Sequence, residues 1–492
     1  MGRKTPVHPL ALPTVAALTP DHYNIKIIDE EIESINYKLK PDIVGITAMI
    51  PNITRAYEIA DQYRSLGIPV VMGGAQVSYN VEESLKHADC IVIGEAEDTW
   101  PQCLNDFESG KLQSIYATNI RPEFKKSNLP RWDLVDTSKI MALGIQTSRG
   151  CPYACEFCLV HNLFGKPQRY RELDNVIEEI KNLPKKQITF VDDNLTANKI
   201  YARALMEALK PLSLSWSCQA SFDLVDHPDL LNAIAKAGCT SILFGFESIN
   251  PDSIKEAHKL QNKIERYEEG IHLVQSMGIH VIGSFIVGFD SDALSAFDDI
   301  YNFCSRNNLS FIQLNVLMAY PGTNLNERLK KEKRLNPIDP NLLNGIYPTI
   351  QFNNMSQTKL YHKYFDTLAK FHDYDHVRKL ATAELQNSKF YRDNSADITI
   401  RDKFISISHL INKYLLTLNK KKRRMFLNLI GLVRQGITSI NVVVEFLLFI
   451  SSFHGYLRYT KRHGAEILKK IEQYDRGPWA NSKQELHNLM TN

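Results

Sequence analysis

The sequence predicts an α/β protein: a Rossmann-like domain, then a (β/α)6 partial TIM barrel, then a helical C-terminal region. Three observations carry this. Short apolar runs alternate with helix-like stretches up to about residue 118; six further βα units run from about 142 to 320; beyond about Asn336 the β pattern stops. Strands alternating with helices argue for parallel sheets with crossover connections. The expected domains are 1–130, 140–335 and 336–492.

Bulk properties agree. At about 150 residues per domain, 492 residues make roughly three. Hydrophobic residues at 44% and charged residues at 23% are ordinary for a globular chain. Lys plus Arg at 58 against Asp plus Glu at 55 leaves a net charge of +3, which gives no electrostatic case for nucleic acid. The start, Met1 to Pro6, lacks the apolar stretch of a signal peptide. The most apolar run, Val442 to Phe453, is broken by Glu445 and is too short to span a bilayer. The eight cysteines lie far apart except for one triplet, which suits a reducing, cytoplasmic location.

In the first domain, Tyr23–Ile28, Ile43–Thr47, Pro69–Met72 and Cys90–Ile93 are expected as strands, with Thr54–Leu66 and Val81–His87 as helices between them. Ligands of such sheets bind beyond the carboxyl ends of the strands. Gly73-Gly74 and Gly94-Glu95-Ala96-Glu97 both fall at that edge. A connector with Arg121-Pro122 and Pro130-Arg131-Trp132 follows. The barrel strands are expected at Ala142–Thr147, Gln187–Val191, Leu214–Gln219, Ser241–Phe246, Ile279–Phe285 and Phe311–Met318, with the chemistry at their C-terminal ends. Leu360–Phe371 and Phe404–Leu418 carry helical apolar spacing.

The sharpest feature follows the first barrel strand: Cys151-Pro152-Tyr153-Ala154-Cys155-Glu156-Phe157-Cys158, a C-x3-C-x2-C triplet. Thiolates hold iron–sulfur clusters, and three rather than four leave one iron open to a further ligand. The alternatives are a structural zinc site with His161 as fourth ligand, or unreactive buried thiols. Neither accounts for the place after a barrel strand.

At these residues the chain resembles the radical S-adenosylmethionine (SAM) superfamily, whose hallmark C-x3-C-x-aromatic-C is matched by Cys151, Cys155, Phe157 and Cys158. The resemblance implies a [4Fe–4S] cluster whose open iron is chelated by SAM. Reductive cleavage would then yield methionine and a 5′-deoxyadenosyl radical that abstracts hydrogen from an unactivated C–H bond. The electron would come from a donor such as flavodoxin or ferredoxin.

The resemblance also implies SAM contacts at the strand ends. Asp192 and Asp193 end the second strand, where an acidic group suits an ammonium partner; the alternative is a helix N-cap. Glu247 ends the fourth strand, with a surface salt bridge as its alternative, and Gln219 and Ser221 end the third. Val287-Gly288-Phe289 and Pro321-Gly322-Thr323 are structural turns. Arg169-Tyr170-Arg171 either fixes the cysteine loop or is a solvated basic pair. Cys90, Cys103, Cys218, Cys239 and Cys304 are expected as small core residues.

A Rossmann-like domain ahead of this core resembles the cobalamin-binding class of the superfamily. The matching segments are Pro9–Pro13, Val44-Gly45-Ile46-Thr47-Ala48, Met72-Gly73-Gly74-Ala75 and Gly94-Glu95-Ala96-Glu97. This points to Thr47, Gly73, Gly74, Gly94 and Glu95 as cobalamin contacts, since glycines let backbone approach a large ligand without a Cβ clash. The alternative is a simple turn at Gly73-Gly74 in a domain with a scaffold role. No D-x-H-x-x-G motif supplies a histidine to cobalt, and Pro9 resembles the region after the class's first strand, which is therefore expected to be missing. Bound methylcobalamin would narrow the reaction to methyl transfer, with a second SAM restoring the methyl group.

The region after about 340 resembles the helical extension of the branch that contains hopanoid C-2 methylases and bacteriochlorophyll side-chain methylases. Lys420-Lys421-Lys422-Arg423-Arg424 precedes an apolar run, an arrangement that suits either peripheral contact with an anionic membrane or a solvated helix end. The leading expectation is cobalamin-dependent C-methylation of a hydrophobic small molecule or lipid. Its rivals are radical SAM cyclisation or C–C coupling over a structural cobalamin domain, and a non-catalytic corrinoid or iron–sulfur sensor. Methylthiotransferase chemistry is weaker, because the paired N-terminal cysteines of those enzymes are absent.

Overall fold

Two parallel sheets carry the fold. The computed structural model describes residues 5–336 apart from 119 and 166, then 347–387 and 411–440, with scattered positions between 442 and 472. The first sheet has the order β2 (Val44–Thr47), β3 (Val70–Gly73), β4 (Cys90–Ile93), β5 (Ile115–Ala117). Helices Ile53–Ser65 and Val81–His87 pack one face through Ala56, Ala60 and Leu85, and Thr99–Glu108 packs the other through Trp100 and Leu104. Both faces are covered, as parallel sheets require.

The second sheet is the curled part-barrel. Its order is β1 (Thr5–Val7), β6 (Ile140–Ile145), β9 (Gln187–Phe190), β10 (Ser215–Ala220), β11 (Cys239–Glu247), β12 (His280–Val287), β13 (Phe311–Val316), all parallel. Its core holds a cluster of rings, with Phe222, Phe244, Phe246, Tyr267 and Phe285 fully buried. Each ring of this size removes a large apolar area from water.

The six expected barrel strands form within a few residues of their expected bounds. Two expectations in the first domain need correction. Tyr23–Ile28 joins no sheet; Tyr23, Ile25 and Ile27 are partly buried between exposed Asn24 and Lys26, with Tyr23 against the cluster around Trp100, so its period-two pattern records one-sided burial without a pairing partner. Ile115–Ala117, which had not been expected, supplies the last strand. The segment before Pro9 does form a strand, but it lies beside β6 with Thr5 opposite Ile140 and Val7 opposite Ala142. It covers the free edge of the barrel sheet, an edge that would otherwise expose unpaired backbone groups.

Helix Gln357–Phe371 contributes Tyr361, Tyr364 and Leu368 to the barrel core. Helices Tyr374–Asn387 and Lys420–Arg434 build a separate apolar cluster against Phe311 on β13. Of the expected helix Phe404–Leu418, residues 404–410 lie outside the described residues, and Ile411–Leu415 forms a single π-helical turn. Among those described, no helix is long and apolar enough to cross a membrane.

Candidate active site

After β6 the chain forms a two-residue strand, β7 (Ser148–Arg149), which pairs antiparallel with β8 (Arg169–Tyr170). This ribbon closes the neck of a loop, Gly150 to Gln168, that carries all three cysteines of the triplet. Gly150 starts the loop at φ +91°, and a Cβ there would stand 3.1 Å from the carbonyl oxygen of Gly165, so the tight entry requires glycine. Glu156, held by Arg328 at 2.7 Å, and Phe157, edge-on to Phe289, dock the loop on the barrel.

Cys151, Cys155 and Cys158 are half-buried, whereas the other five cysteines are buried as expected. Burial pushes all three thiols up, Cys158 to about 12. Neighbouring thiols raise Cys151 and Cys158 further, while the Lys259 ammonium draws Cys151 and Cys155 back down. His161 is turned to the carbonyl of Tyr153 through Nε2. Among the described residues no three Cys, His, Asp or Glu side chains converge as ligands of a single ion would. A cubane differs, because each thiolate takes its own iron.

The strand ends surround this loop. Asp192 is buried, and its carboxylate accepts from Thr147 N at 3.1 Å, Thr147 Oγ1 at 2.7 Å and Ser148 Oγ at 2.6 Å, which ties β9 to the start of the loop. Neither Asp192 nor Asp193 caps a helix: Asn198 caps the next one. Asp193 accepts from Gly150 N at 3.3 Å, and burial pushes its carboxyl up to about 6. Gln219 is exposed, and Ser221 is buried beside Asn194. Glu247 sits at φ +61° where β11 bulges against β12. Its expected alternative, a surface salt bridge, is corrected: the pair it forms with Lys259 is buried. The solvated reading of Arg169 and Arg171 is likewise overturned. Arg171 pairs with Glu179 at 2.5 Å with both side chains buried, and Arg169 reaches Glu95 and the carbonyl of Pro122.

The C-terminal edge of the first sheet faces the same region. Thr47 ends β2 and Gly73 ends β3. Gly74, at φ +102°, passes so close to Ala48 that a Cβ would stand 2.8 Å from its carbonyl oxygen. Gly94, at φ +81°, has open space where a Cβ would be. Glu95 is the exception among the expected ligand contacts, because its carboxylate is engaged by arginines of the cysteine loop. Tyr79, at the end of the helix after Gly74, lies against Gly322, and burial raises its hydroxyl to about 12.

Sequence reasoning missed three residues of this site: Lys259, Arg149 and Tyr79. A lone lysine twelve positions after Glu247 has no local signature. Arg149 adjoins the motif, and only its partner in the first domain distinguishes it.

Comparison with known proteins accords with this geometry. Residues 145–304 match the Radical SAM superfamily and residues 3–104 match the B12 binding domain. The bacteriochlorophyllide d C-12(1)-methyltransferase of Chlorobaculum tepidum is 30% identical over 66% of this chain and 74% of its own length. The chain belongs to the cobalamin-binding radical SAM family. The hopanoid C-2 methylase of Rhodopseudomonas palustris is 27% identical over 66% of this chain and 65% of its own. A solved structure of the radical SAM methyltransferase TsrM from Kitasatospora setae, with tryptophan and a SAM analogue bound, shares the fold at a TM-score of 0.59 and 14% identity, covering 78% of this chain and 88% of that one.

The residues of this radical SAM protein fit its family's cofactors. Three half-buried thiols on one glycine-hinged loop match a [4Fe–4S] donor set with one iron left free. The buried Lys259–Glu247 pair and Asp193 place both signs of charge beside it, as an amino acid headgroup requires. Open backbone at Gly94 and the glycine pair Gly73-Gly74 suits a broad corrinoid face.

Proposed function

We propose that the chain is a cobalamin-dependent radical SAM C-methyltransferase acting on a hydrophobic small molecule or lipid. The observation that carries the reading is the juxtaposition of the cysteine loop with the glycine-lined edge of the first sheet, joined through Glu95 and Arg149 at 2.5 Å. Cys151, Cys155 and Cys158 are the cluster ligands. Asp193, Glu247 and Gln219 contact SAM, with Lys259 as an added counter-ion. Asp192 holds the loop from within. Thr47, Gly73, Gly74 and Gly94 line the corrinoid site. The domain bounds 1–130, 140–335 and 336–492 belong to the same reading.

When bound, the cofactors supply a substrate-derived carbon radical and the methyl group that quenches it. The chain binds, orients and shields. Asp193 accepts the SAM ammonium, Lys259 offsets the negative charge of the thiolates, and Phe157 and Phe289 cover the loop on its apolar side. Each turnover would consume two SAM molecules, one cleaved for hydrogen abstraction and one giving the methyl group, with two electrons from a flavodoxin- or ferredoxin-type donor. The substrate class follows from the two curated relatives, which are named for a bacteriochlorophyllide and for hopanoids. Leu416 and Leu418, highly exposed beside the basic run from Lys420, support peripheral contact with an anionic membrane, where such substrates reside.

Anaerobic turnover with candidate tetrapyrroles and polycyclic lipids tests the proposal. Methylated product with equal amounts of S-adenosylhomocysteine and 5′-deoxyadenosine supports it. 5′-Deoxyadenosine with rearranged, unmethylated product replaces it with cyclisation or coupling.

A further inference from the structure

Glu95 grips both strands of the neck that closes the cysteine loop. Its Oε2 accepts from Arg149 Nη1 at 2.5 Å and its Oε1 accepts from Arg169 Nη2, and Arg149 and Arg169 are the paired positions of β7 and β8. The side chain of Glu95 is only 6% exposed. Arg149 also meets Glu97 at 2.6 Å, Arg121 stands 3.7 Å from Glu95, and the ring of Phe124 lies 4.3 Å from the Arg149 guanidinium carbon. Charge-assisted bonds to guanidiniums are among the stronger polar contacts, and breaking a buried pair leaves an uncompensated charge. Without Glu95, Arg149 keeps Glu97, but Arg169 keeps the carbonyl of Pro122 and the Phe124 ring and has no carboxylate among its described contacts.

The other end of this contact lies in the first domain. Glu95 follows Gly94 at the end of β4, and Gly94 N donates to Ser78 Oγ at 3.0 Å on the helix that begins after Gly74. Both glycine loops of the first sheet and both strands of the neck therefore form one connected polar chain.

We infer that Glu95 is a positioning residue that couples occupancy of the corrinoid edge to retention of the cluster. The inference deepens the proposed function and rests on it. A ligand that orders the Gly94–Glu97 loop holds the neck closed, and a closed neck keeps the three thiolates together. By linkage the effect is reciprocal: the loaded cluster tightens corrinoid binding by the same factor.

The test uses the full chain, reconstituted anaerobically with iron and sulfide, with and without hydroxocobalamin. Loss of cluster absorbance is followed under a ferrous-iron chelator. The native chain is expected to lose its cluster about fivefold or more slowly with the corrinoid bound, the low end of ordinary coupling. Glu95→Gln is expected to load both cofactors and lose that dependence, and Glu95→Asp to recover part of it. Equal rates in native protein that has demonstrably bound both cofactors overturn the inference and leave the methyltransferase reading intact; so does an undiminished dependence in Glu95→Gln. Should the variant fail to fold, the native comparison decides alone. A native chain that takes up the cluster but no corrinoid overturns both.

Discussion

Lys259 donates to Glu247 at the mouth of the barrel, with their side chains only 10% and 8% exposed. The pair lies close enough to the triplet for Lys259 to lower the Cys155 thiol and for Glu247 to raise it. Removing the cation strands a buried carboxylate beside three thiolates, and breaking such a pair costs about 3–5 kcal/mol. Lys259→Met is therefore expected to lower the unfolding midpoint by several degrees and to reduce iron uptake per chain, measured by calorimetry and iron assay. Unchanged iron uptake would show that the ammonium does not support the cluster.

The cysteine loop is held at its neck by β7 and β8 and at its flank by Glu156–Arg328, none of which uses a thiol. Cys151→Ala, Cys155→Ala and Cys158→Ala are each expected to abolish 5′-deoxyadenosine formation while the apoprotein's circular dichroism stays native. SAM cleavage surviving in any one of them would remove that cysteine from the ligand set.

Gly74 and Gly94 make a contrasting pair. Both hold positive φ, but a Cβ on Gly74 would also collide with the Ala48 carbonyl, while Gly94 has free space. Gly94→Ala is expected to cost about 1 kcal/mol from backbone strain alone, and Gly74→Ala about 1–3 kcal/mol, with local movement at the sheet edge. Corrinoid affinity, followed by absorbance titration, should fall further for Gly74→Ala. The reverse order would place the ligand against Gly94 alone.

His376 gives the pH dependence a sign. Its Nδ1 lies 3.1 Å from the Tyr301 hydroxyl, the rings stack at 4.9 Å, and burial lowers its pKa from 6.5 despite the nearby Asp373. Below about pH 6.5 the unfolded chain takes up a proton that the folded chain resists, so stability falls as pH falls, by at most about 1.4 kcal/mol per pH unit from this group. His376→Phe should flatten the acid side of a plot of unfolding midpoint against pH. An unaltered slope would assign the acid sensitivity to other groups.

The basic run at the start of helix Lys420–Arg434 is only partly neutralised. Lys421 meets Asp373 at 2.7 Å and Arg424 stands 3.6 Å from Asp375. Lys420 and Arg423 stay exposed beside Leu416, Leu418 and Leu427, and Lys420 and Leu427 share one helix face at i,i+7. Flotation with vesicles containing phosphatidylserine should carry the chain upward, whereas neutral vesicles should not. Replacing Leu416 and Leu418 with serine should weaken the association. Sedimentation with both vesicle types would exclude the membrane contact.

Much of the architecture was legible in the residues. Six barrel strands announced themselves because short β-rich runs, several with alternate residues buried, recur between helical stretches, and the triplet announced its chemistry because three thiols on one loop have few other uses. Tyr23–Ile28 misled because alternation records which side is buried and is silent on whether a neighbouring strand exists. Thr5–Val7 and Ile115–Ala117 are three residues long, too short to show a period.

By itself the chain's order of residues determined the two α/β units, the cysteine triplet after the first barrel strand and the glycines at the first sheet's edge, since each is a pattern among near neighbours. Tertiary structure alone decided that Thr5–Val7 serves the barrel, that Lys259 faces Glu247 and that Glu95 clasps Arg149 and Arg169. The reason is physical. A charge or an unpaired strand edge is satisfied by whatever partner folding brings within a few ångströms, and Glu95 lies 54 positions from Arg149 and 74 from Arg169.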